Sequence, residues 1–303
     1  PGLAKEKQYI STLEDLIMYS KGYRLIRDRN QPGMPRQYSI VGKTGETITS
    51  LSGTADIVKY DFGYEIDPVW EAGNKNIPGI YIEFKEPWLN PKGFEQIVYD
   101  VLANTQDMNI IEKPEPEDTP FYINNGTINV GNTNGKVILQ TFSLESLVRV
   151  AEVFQGKVPM CFLLWKGTGA TDLTYDDPLG YASFINLGVK YKAHFIGPCI
   201  AGAPNDYPEL DQPWQDYLIH RAKMKNHPYT FDTYDQMAKY FGQYNFGVAD
   251  GMFNPPYLDA LFTNHSDMSI NYMITHGWRK SPASQTLVDA REVLRKLGYL
   301  DNN

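Results

Sequence analysis

Two charged side chains stand where an apolar segment of the chain ends. Glu83 follows Tyr81 and Ile82, and Lys85 lies two positions later, on the same side of an extended strand. Pro87 then interrupts strand pairing, because proline has no backbone N–H to donate. A carboxylate suits a hard divalent cation, and an ammonium suits a phosphate oxygen. The spacing therefore indicates a site for a metal and an anionic group, although a structural salt bridge at a strand end would have the same spacing.

Histidine, tyrosine and glutamine supply further candidates. His227 and Tyr229 alternate along an extended segment and share one face of it. Gln140 ends another apolar run, where its amide either contacts a ligand or helps Ser143 to cap the next helix. The other histidines, of which His194 is the first in the chain, have no partner at the spacing of a metal-binding motif. A lone histidine is more often structural than catalytic, so the residues alone leave the role of His227 open.

The composition narrows the function classes. The 303 residues carry a formal net charge of −8, which argues against a general nucleic-acid or anionic-membrane surface. No apolar stretch approaches the length of about 18 residues that a transmembrane helix needs. The sequence also contains no nucleophile elbow, P-loop, dinucleotide-binding fingerprint or zinc-protease motif. We therefore expect no nucleic-acid partner and no transmembrane segment, whereas a small anionic ligand in a locally basic pocket remains compatible with the charge.

The first residues, the cysteines and the sequons give weaker expectations. The chain begins Pro1-Gly2-Leu3 without a methionine, which suggests a processed precursor or an incomplete sequence. Cys161 and Cys199 either form one bridge or stay reduced. Asn125 begins a sequon and is a candidate glycosylation site, and a second sequon begins at Asn264. The sequons do not decide the compartment.

Apolar runs typical of strands alternate with amphipathic helices after residue 79. The runs lie at 79–84, 136–140, 158–165, 194–198, 226–231 and 260–263. Helices are predicted at 93–104, 143–155, 213–224 and 232–241. This alternation is typical of an α/β protein with a parallel sheet, and six strands suit a barrel of the (β/α)8 type whose first two strands are absent from the chain.

The remaining segments are assigned to the same single domain, 1–303. A helix capped by Ser11 or Thr12 is predicted at 10–22. Residues 24–79 are predicted to be a long, partly ordered insertion, with short strand-like pieces near 37–41 and 56–60. A C-terminal helical extension is predicted at 268–303, and it includes an amphipathic helix at 284–298.

The ordered set of motifs resembles the glycerophosphodiester phosphodiesterases of the periplasmic or secreted type, over their C-terminal two-thirds. Each motif alone is weak evidence, but their common order along the chain is specific. The similar segments include a threonine-capped helix, a Glu-x-Lys strand followed by Pro-Trp, a glutamine strand, a Gly-Pro strand, a His-Pro-Tyr-Thr strand and a closing segment. In this sequence they read Thr12-Leu13-Glu14-Asp15, Glu83-Phe84-Lys85-Glu86-Pro87-Trp88, Leu139-Gln140-Thr141-Phe142, Ile196-Gly197-Pro198, His227-Pro228-Tyr229-Thr230, and Asp250-Gly251 with Phe262-Thr263-Asn264.

The resemblance implies a TIM barrel that hydrolyses small glycerophosphodiesters to glycerol 3-phosphate and an alcohol, with the help of Ca²⁺ or Mg²⁺. It implies that Glu83 is a metal ligand and that Lys85 contacts the substrate phosphate. Gln140, His227 and Tyr229 would line the same pocket. It also implies a secreted or periplasmic protein.

The departures from the family are severe. The His-Arg-Gly strand, the Glu-x-Asp metal ligands and the second catalytic histidine would all precede Thr12 and have no counterpart in this sequence. Asn264 stands where the family's closing segment has aspartate. We therefore expect no catalytic residue in this chain alone, and an active enzyme only when an N-terminal fragment of the same precursor, or another copy, completes the barrel. A catalytically degenerate barrel that binds ligands or serves a structural role is the alternative, and a sphingomyelinase-D-like enzyme is a third.

Overall fold

The structure is a computed structural model that describes residues 11–26, 38–42, 47–48, 55–60, 63–66, 79–111, 137–165, 175–243, 258–277 and 279. The chain divides into two compact units. The first, here the small unit, comprises Pro1–Pro78 with Pro282–Asn303, and the second, here the sheet unit, comprises Gly79–Ser281. The predicted helix at 284–298 lies outside the described residues, as does Asn125.

The small unit combines one described helix with short antiparallel strands. Its elements are α1 Leu13–Ser20, β1 Tyr23–Ile26, β2 Tyr38–Gly42, β3 Thr47–Ile48, β4 Ala55–Tyr60 and β5 Gly63–Ile66. β1 pairs with β5, and β2 pairs with both β3 and β4. The Thr12 hydroxyl accepts from the Asp15 N–H, and the Asp15 carboxylate accepts from the Thr12 N–H, so a capping box begins α1. The predicted capped helix and both predicted strand pieces are confirmed, whereas the placement of 24–79 as an insertion in one domain stays a prediction.

Parallel strands alternate with helices in the sheet unit. The strands are β6 Ile80–Glu83, β7 Val137–Thr141, β8 Met160–Leu164, β9 Phe195–Pro198 and β10 Lys225–Asn226, and they lie in the order β10-β9-β8-β7-β6. The helices are α2 Phe94–Asn104, α3 Leu144–Phe154, α4 Pro178–Lys190, α5 Pro213–Arg221, α6 Tyr234–Ala238 and α7 Ser266–Thr275. The predicted α/β class with a parallel sheet is thus confirmed, and five parallel strands are compatible with part of a barrel.

Apolar side chains cover both faces of the central strand, which is typical of a parallel sheet packed on two sides. All five residues of β8 are buried. On the helix-covered face, Phe162 stacks on Phe184 of α4 with ring centroids 4.3 Å apart. On the opposite face, here the inner face, Cys161, Leu163 and Phe195 form a buried cluster. The partly buried side chains packed against that cluster are Tyr81, Ile138, Phe142, Tyr229 and Phe262.

The last predicted strand does not form as a regular strand. The segment 260–263 makes only irregular main-chain contacts, in which the Phe262 N–H donates to the Pro228 carbonyl at 3.0 Å and the Phe231 N–H donates to the Phe262 carbonyl at 2.8 Å. The predicted strand at 226–231 is likewise reduced to Lys225–Asn226. Pro228 explains part of both results, because its missing N–H interrupts the ladder that the two segments would share.

Two findings on the helices complete the architecture. The sequence analysis did not predict α4 Pro178–Lys190, whose sequence mixes glycine, serine and aromatic residues; Asp177 caps it, and its side chain accepts from the Gly180 N–H. Within the part of the chain that the structure describes, no helix combines the length and the apolar character needed to cross a membrane.

Candidate functional site

Two predicted site residues meet at the carboxyl ends of neighbouring strands. Glu83 ends β6 and lies directly beside Gln140 of β7 in the parallel register. Because side chains alternate along a strand, Glu83 shares a face with Tyr81, which belongs to the inner face of the sheet. The structure therefore places a carboxylate and an amide side by side where this face reaches the carboxyl edge. The carboxyl edge of a parallel sheet is also where α/β proteins bind ligands.

Lys85 completes this group from just beyond the strand. Its ammonium lies 3.5 Å from the Glu83 carboxylate, and the lysine side chain is 70% exposed while the glutamate is 21% exposed. The salt bridge named as the alternative interpretation therefore exists. An exposed pair of this kind contributes little to stability, since solvent screens it. The ammonium is consequently available to an incoming anion.

The turn after Lys85 is held by main-chain contacts. The Leu89 N–H donates to the Glu86 carbonyl at 2.8 Å, and the Asn90 amide donates to the Lys85 carbonyl at 2.9 Å. From α3, the Arg149 guanidinium donates to the Pro87 carbonyl at 3.1 Å. These contacts fix the backbone on which Lys85 is carried.

Gln140 and Ser143 take different roles after β7. Ser143 alone caps α3 through its hydroxyl, which accepts from the Ser146 N–H at 3.4 Å. The Gln140 side-chain oxygen Oε1 is buried and has no hydrogen-bond partner within the described part of the chain. A buried acceptor without a partner is costly unless a ligand or water satisfies it. Gln140 is thus free of the capping role and holds an open acceptor beside Glu83.

His227 lies inside the sheet unit rather than at its surface. Its Nδ1 is 3.1 Å from the Tyr81 hydroxyl, and its ring stacks on Phe195 with centroids 4.0 Å apart. Burial lowers the pKa of His227 to about 4, an effect that Lys225 reinforces and Asp259 opposes. The imidazole is therefore neutral near pH 7. The structure brings it into the interior below the carboxyl edge, in contact with the strand that ends in Glu83.

The hydroxyl of Tyr229 is engaged within the fold, so its ring is the part that a ligand could contact. The hydroxyl donates to the Leu164 carbonyl at 3.0 Å. The ring contacts Phe142 and Tyr207 edge to face, at centroid distances of 5.7 Å and 5.9 Å. Burial raises the pKa of Tyr229 far above its ordinary value, so the phenol stays protonated. A ligand at this position would contact an aromatic surface.

The described donors do not fit a complete site for Ca²⁺ or Mg²⁺. Among the described residues, no group of three or more histidine, cysteine, aspartate or glutamate side chains could hold a metal ion. Glu83 and the Oε1 atom of Gln140 offer two oxygen ligands, whereas Ca²⁺ takes about 6–8 and Mg²⁺ about six. Any divalent cation at this edge would need further ligands from elsewhere.

The two cysteines are reduced and buried. Burial raises the pKa of each thiol to about 12. The bridge that the sequence left open does not form, and neither thiol has the lowered pKa that a nucleophile needs. Asn264, the second sequon residue, is exposed, and its side chain donates to the Asp232 carboxylate at 2.9 Å.

A second polar centre, which the sequence analysis did not predict, surrounds Asn226 in β10. The Asn226 amide donates to the carboxylates of Asp211 and Asp216 at 2.8 Å and 2.9 Å. His220 lies between two carboxylates, 3.2 Å from Asp216 and 2.8 Å from Asp259. The spacing of Asp216 and His220, four positions apart on one helix, could have indicated that pair. No spacing rule brings Asn226 and Asp259 to it, because they lie in separate segments.

Comparison of the chain with family models and with curated proteins identified no relative. No family model matches the chain, and no curated protein is significantly similar to it. The functional interpretation therefore stands on the residues and their geometry.

Proposed function

We propose that the sheet unit is part of a TIM-barrel phosphodiesterase that hydrolyses glycerophosphodiesters to glycerol 3-phosphate and an alcohol when a further segment completes the site. The observation that carries the proposal is the register of Glu83 beside Gln140 at the carboxyl edge, with the Lys85 ammonium 3.5 Å from Glu83. In parallel barrels, this edge is where substrates bind and react. A secreted or periplasmic location belongs to the same proposal.

The described residues suit phosphate binding. Lys85 supplies an exposed positive charge on a fixed turn, and a charge-assisted hydrogen bond to a phosphate oxygen is about twice as strong as a neutral one. Gln140 adds an amide whose donors suit oxygen atoms of the ligand. Glu83 holds Lys85 in place and offers one oxygen to a cation that other ligands would complete.

The hydrolytic step needs groups that these residues do not supply. Water adds to phosphorus and the bond from phosphorus to the alcohol oxygen breaks, so one group must accept a proton from water and another must donate one to the alcohol. His227 is buried, bonded to Tyr81 and neutral, and its pKa of about 4 makes it a weak base at pH 7. We assign both proton transfers to histidines of the completing segment.

The outer side of β6 is the place that we propose for that segment. Among the described strands, β6 pairs only with β7 and ends the sheet. A strand added there would lie next to Glu83, within reach of the same edge. The Glu-x-Asp ligands and the histidines that the resemblance implies would then face Glu83 and Lys85.

Complementation tests the proposal directly. The chain is co-expressed with a segment bearing the His-Arg-Gly strand of the resembled family, and release of glycerol 3-phosphate from glycerophosphoglycerol is measured with Ca²⁺, Mg²⁺ or chelator. We expect turnover only from the complex with a divalent cation. The Glu83→Gln variant should lose turnover and Lys85→Met should raise KM, whereas Lys157→Met, a substitution of an exposed lysine after α3, should leave both unchanged. A stable complex without turnover would overturn the proposal.

The binding-protein alternative is favoured by one observation. Asn264 stands in place of an aspartate, and its amide is bonded to Asp232. If the chain is a binding protein, it binds glycerol 3-phosphate by itself, and Lys85→Met weakens that binding. No complementing segment then produces turnover.

A further inference from the structure

An aromatic array spans the carboxyl edge of the sheet unit. Phe142 follows β7, Trp165 follows β8, Tyr207 lies in the loop after β9, and Tyr229 follows β10. Neighbouring rings of this array are in contact, with centroid distances of 6.3 Å for Trp165 and Tyr207, 5.9 Å for Tyr207 and Tyr229, and 5.7 Å for Tyr229 and Phe142. The array therefore runs without a break from the inner face of the sheet to the outside.

The outer members of the array are accessible and mutually inclined. Trp165 is 41% exposed and Tyr207 is 36% exposed. Their ring planes are inclined by 65°, and those of Tyr207 and Tyr229 are inclined by 61°. Inclined rings form the walls of a corner instead of a stack. Since the Tyr229 hydroxyl is bonded to the Leu164 carbonyl, the corner offers ring surface and no free donor from that residue.

The ring faces of this corner favour a cation. Each ring face carries the negative part of an aromatic quadrupole, and a quaternary ammonium is the group that several inclined rings bind best. The net charge of −8 acts in the same direction.

We propose that Trp165, Tyr207 and Tyr229 form a subsite for a quaternary ammonium group of the choline type. This inference deepens the proposed function and rests on it only for the phosphate: the phosphate would lie at Lys85 and the alcohol's ammonium against the array. The subsite would select glycerophosphodiesters whose alcohol carries a trimethylammonium group over those with a neutral alcohol.

Choline alone is the first probe, because it reports on the array without the phosphate. Binding of choline to the whole chain is measured by calorimetry, beside 3,3-dimethylbutanol, in which a neutral carbon replaces the ammonium nitrogen. We expect choline to bind at least about fivefold more tightly than its neutral isostere, the difference that a cation–π contact produces. Equal affinity of the two probes, or no binding of choline, would overturn the inference.

Variants then locate the site. Trp165→Ala and Tyr207→Leu should each weaken choline binding about five- to thirtyfold, and Tyr207→Phe should keep it, because the ring is retained. Trp88→Ala is the matched control: Trp88 is 71% exposed on the turn after β6 and pairs with no other ring among the described residues. Circular dichroism verifies that each variant is folded. Unchanged binding in folded Trp165→Ala and Tyr207→Leu, or an equal loss in Trp88→Ala, would overturn the assignment.

A second titration separates this inference from the proposed function. Glycerol 3-phosphate binding is measured in parallel and depends on Lys85 under the proposed function. If choline binds the array and glycerol 3-phosphate does not bind, the aromatic subsite stands and the phosphate assignment fails. If glycerol 3-phosphate binds in a Lys85-dependent way and choline does not bind, the phosphate assignment stands and the aromatic subsite fails.

Discussion

The polar centre around Asn226 and the polar group at the carboxyl edge are built in opposite ways. Around Asn226, hydrogen bonds join the amide to two aspartates and a histidine to Asp216, and Asp211 and Asp216 are only 1% and 3% exposed, although the Oδ2 atom of Asp211 has no partner among the described residues. At the carboxyl edge, Lys85 is 70% exposed, and the buried Oε1 atom of Gln140 has no partner.

This difference separates a structural role from a binding role. A buried polar network stabilises the fold only while its members remain paired, since each loses its contacts with water on folding. An exposed ammonium contributes little to the folded state and can exchange solvent for a ligand at small cost. We therefore expect substitutions around Asn226 to act on stability and substitutions at the edge to act on binding.

Asn226→Leu should have the largest effect on stability. It removes the donor of two hydrogen bonds to buried carboxylates, and bonds to charged groups contribute about 1.5–3 kcal/mol each, so we expect the free energy of unfolding to fall by about 3 kcal/mol. Urea denaturation followed by fluorescence measures the change. Asn90→Ala, which removes an exposed bond to the Lys85 carbonyl, is the control. A loss no larger than that of the control would contradict the structural role of the centre.

Gly197→Ala tests whether the inner face between the two regions is packed. A Cβ atom there would lie 2.7 Å from Leu163 Cδ2, 2.9 Å from Cys161 Sγ and 3.1 Å from the His227 carbonyl oxygen. Overpacking of this kind costs about 1–3 kcal/mol of unfolding free energy, measured in the same denaturation assay.

Gly188→Ala is the matched control for that substitution. Its Cβ would lie 3.3 Å from the side-chain ends of Ile196 and Met224 and 3.6 Å from Ala193 Cβ, and alanine favours the helix. If Gly197→Ala lowers the free energy of unfolding less than Gly188→Ala does, the inner face has room for a ligand at this depth.

The pH dependence of stability should come from the Asn226 centre. Hydrogen bonds from His220 to Asp216 and Asp259 raise the histidine pKa from 6.5 to about 10. A raised pKa in the folded state means that this stabilisation is fully present below pH 6.5 and is lost as the pH rises towards about 10.

We therefore expect the urea midpoint of the parent chain to fall between pH 6.5 and pH 10, and that of His220→Gln to fall less. Burial also raises the pKa values of Asp211 and Asp216, so the difference between parent and variant is the quantity that isolates His220. If the urea midpoints of the parent chain and of His220→Gln change with pH in the same way, His220 does not contribute to the pH dependence of stability.

Lys85→Met should have the smallest effect on stability. An exposed ion pair contributes less than about 1 kcal/mol, so the free energy of unfolding should stay within that range, although glycerol 3-phosphate binding should weaken. Denaturation and calorimetry on the same protein give both values. A stability loss as large as that of Asn226→Leu would remove the distinction between the two regions.

Local patterns made most of the fold predictable. Ser143 and Thr12 cap the helices that the sequence assigned to them, and the fully apolar run at 158–165 becomes the buried strand β8. The prediction of a strand at 260–263 was wrong. Its pairing depends on a partner segment in which Pro228 has no N–H to donate. Helix α4 was not predicted because its sequence, with two glycines and one serine among apolar residues, has no clear period. Packing against the sheet fixes its position.

The candidate site was predictable only in part. The types and spacing of Glu83 and Lys85 indicated a polar strand end, and alternation placed His227 and Tyr229 on one face of their segment. The structure alone decided that His227 is buried against Phe195 and that the hydroxyl of Tyr229 is engaged.

The sequence by itself determined the identity of the charged and aromatic side chains, the helix caps and the α/β alternation, because these depend on residues within a few positions of one another. Only the tertiary structure decided which polar groups are paired. Asp211, Asp216 and Asp259 reach Asn226 or His220 through the packing of separate segments, and Glu83 meets Gln140 through strand register. Burial and pairing together set whether a polar group stabilises the fold or can bind a ligand, because a buried group without a partner is costly, whereas an exposed pair such as Lys85 and Glu83 contributes little to the folded state.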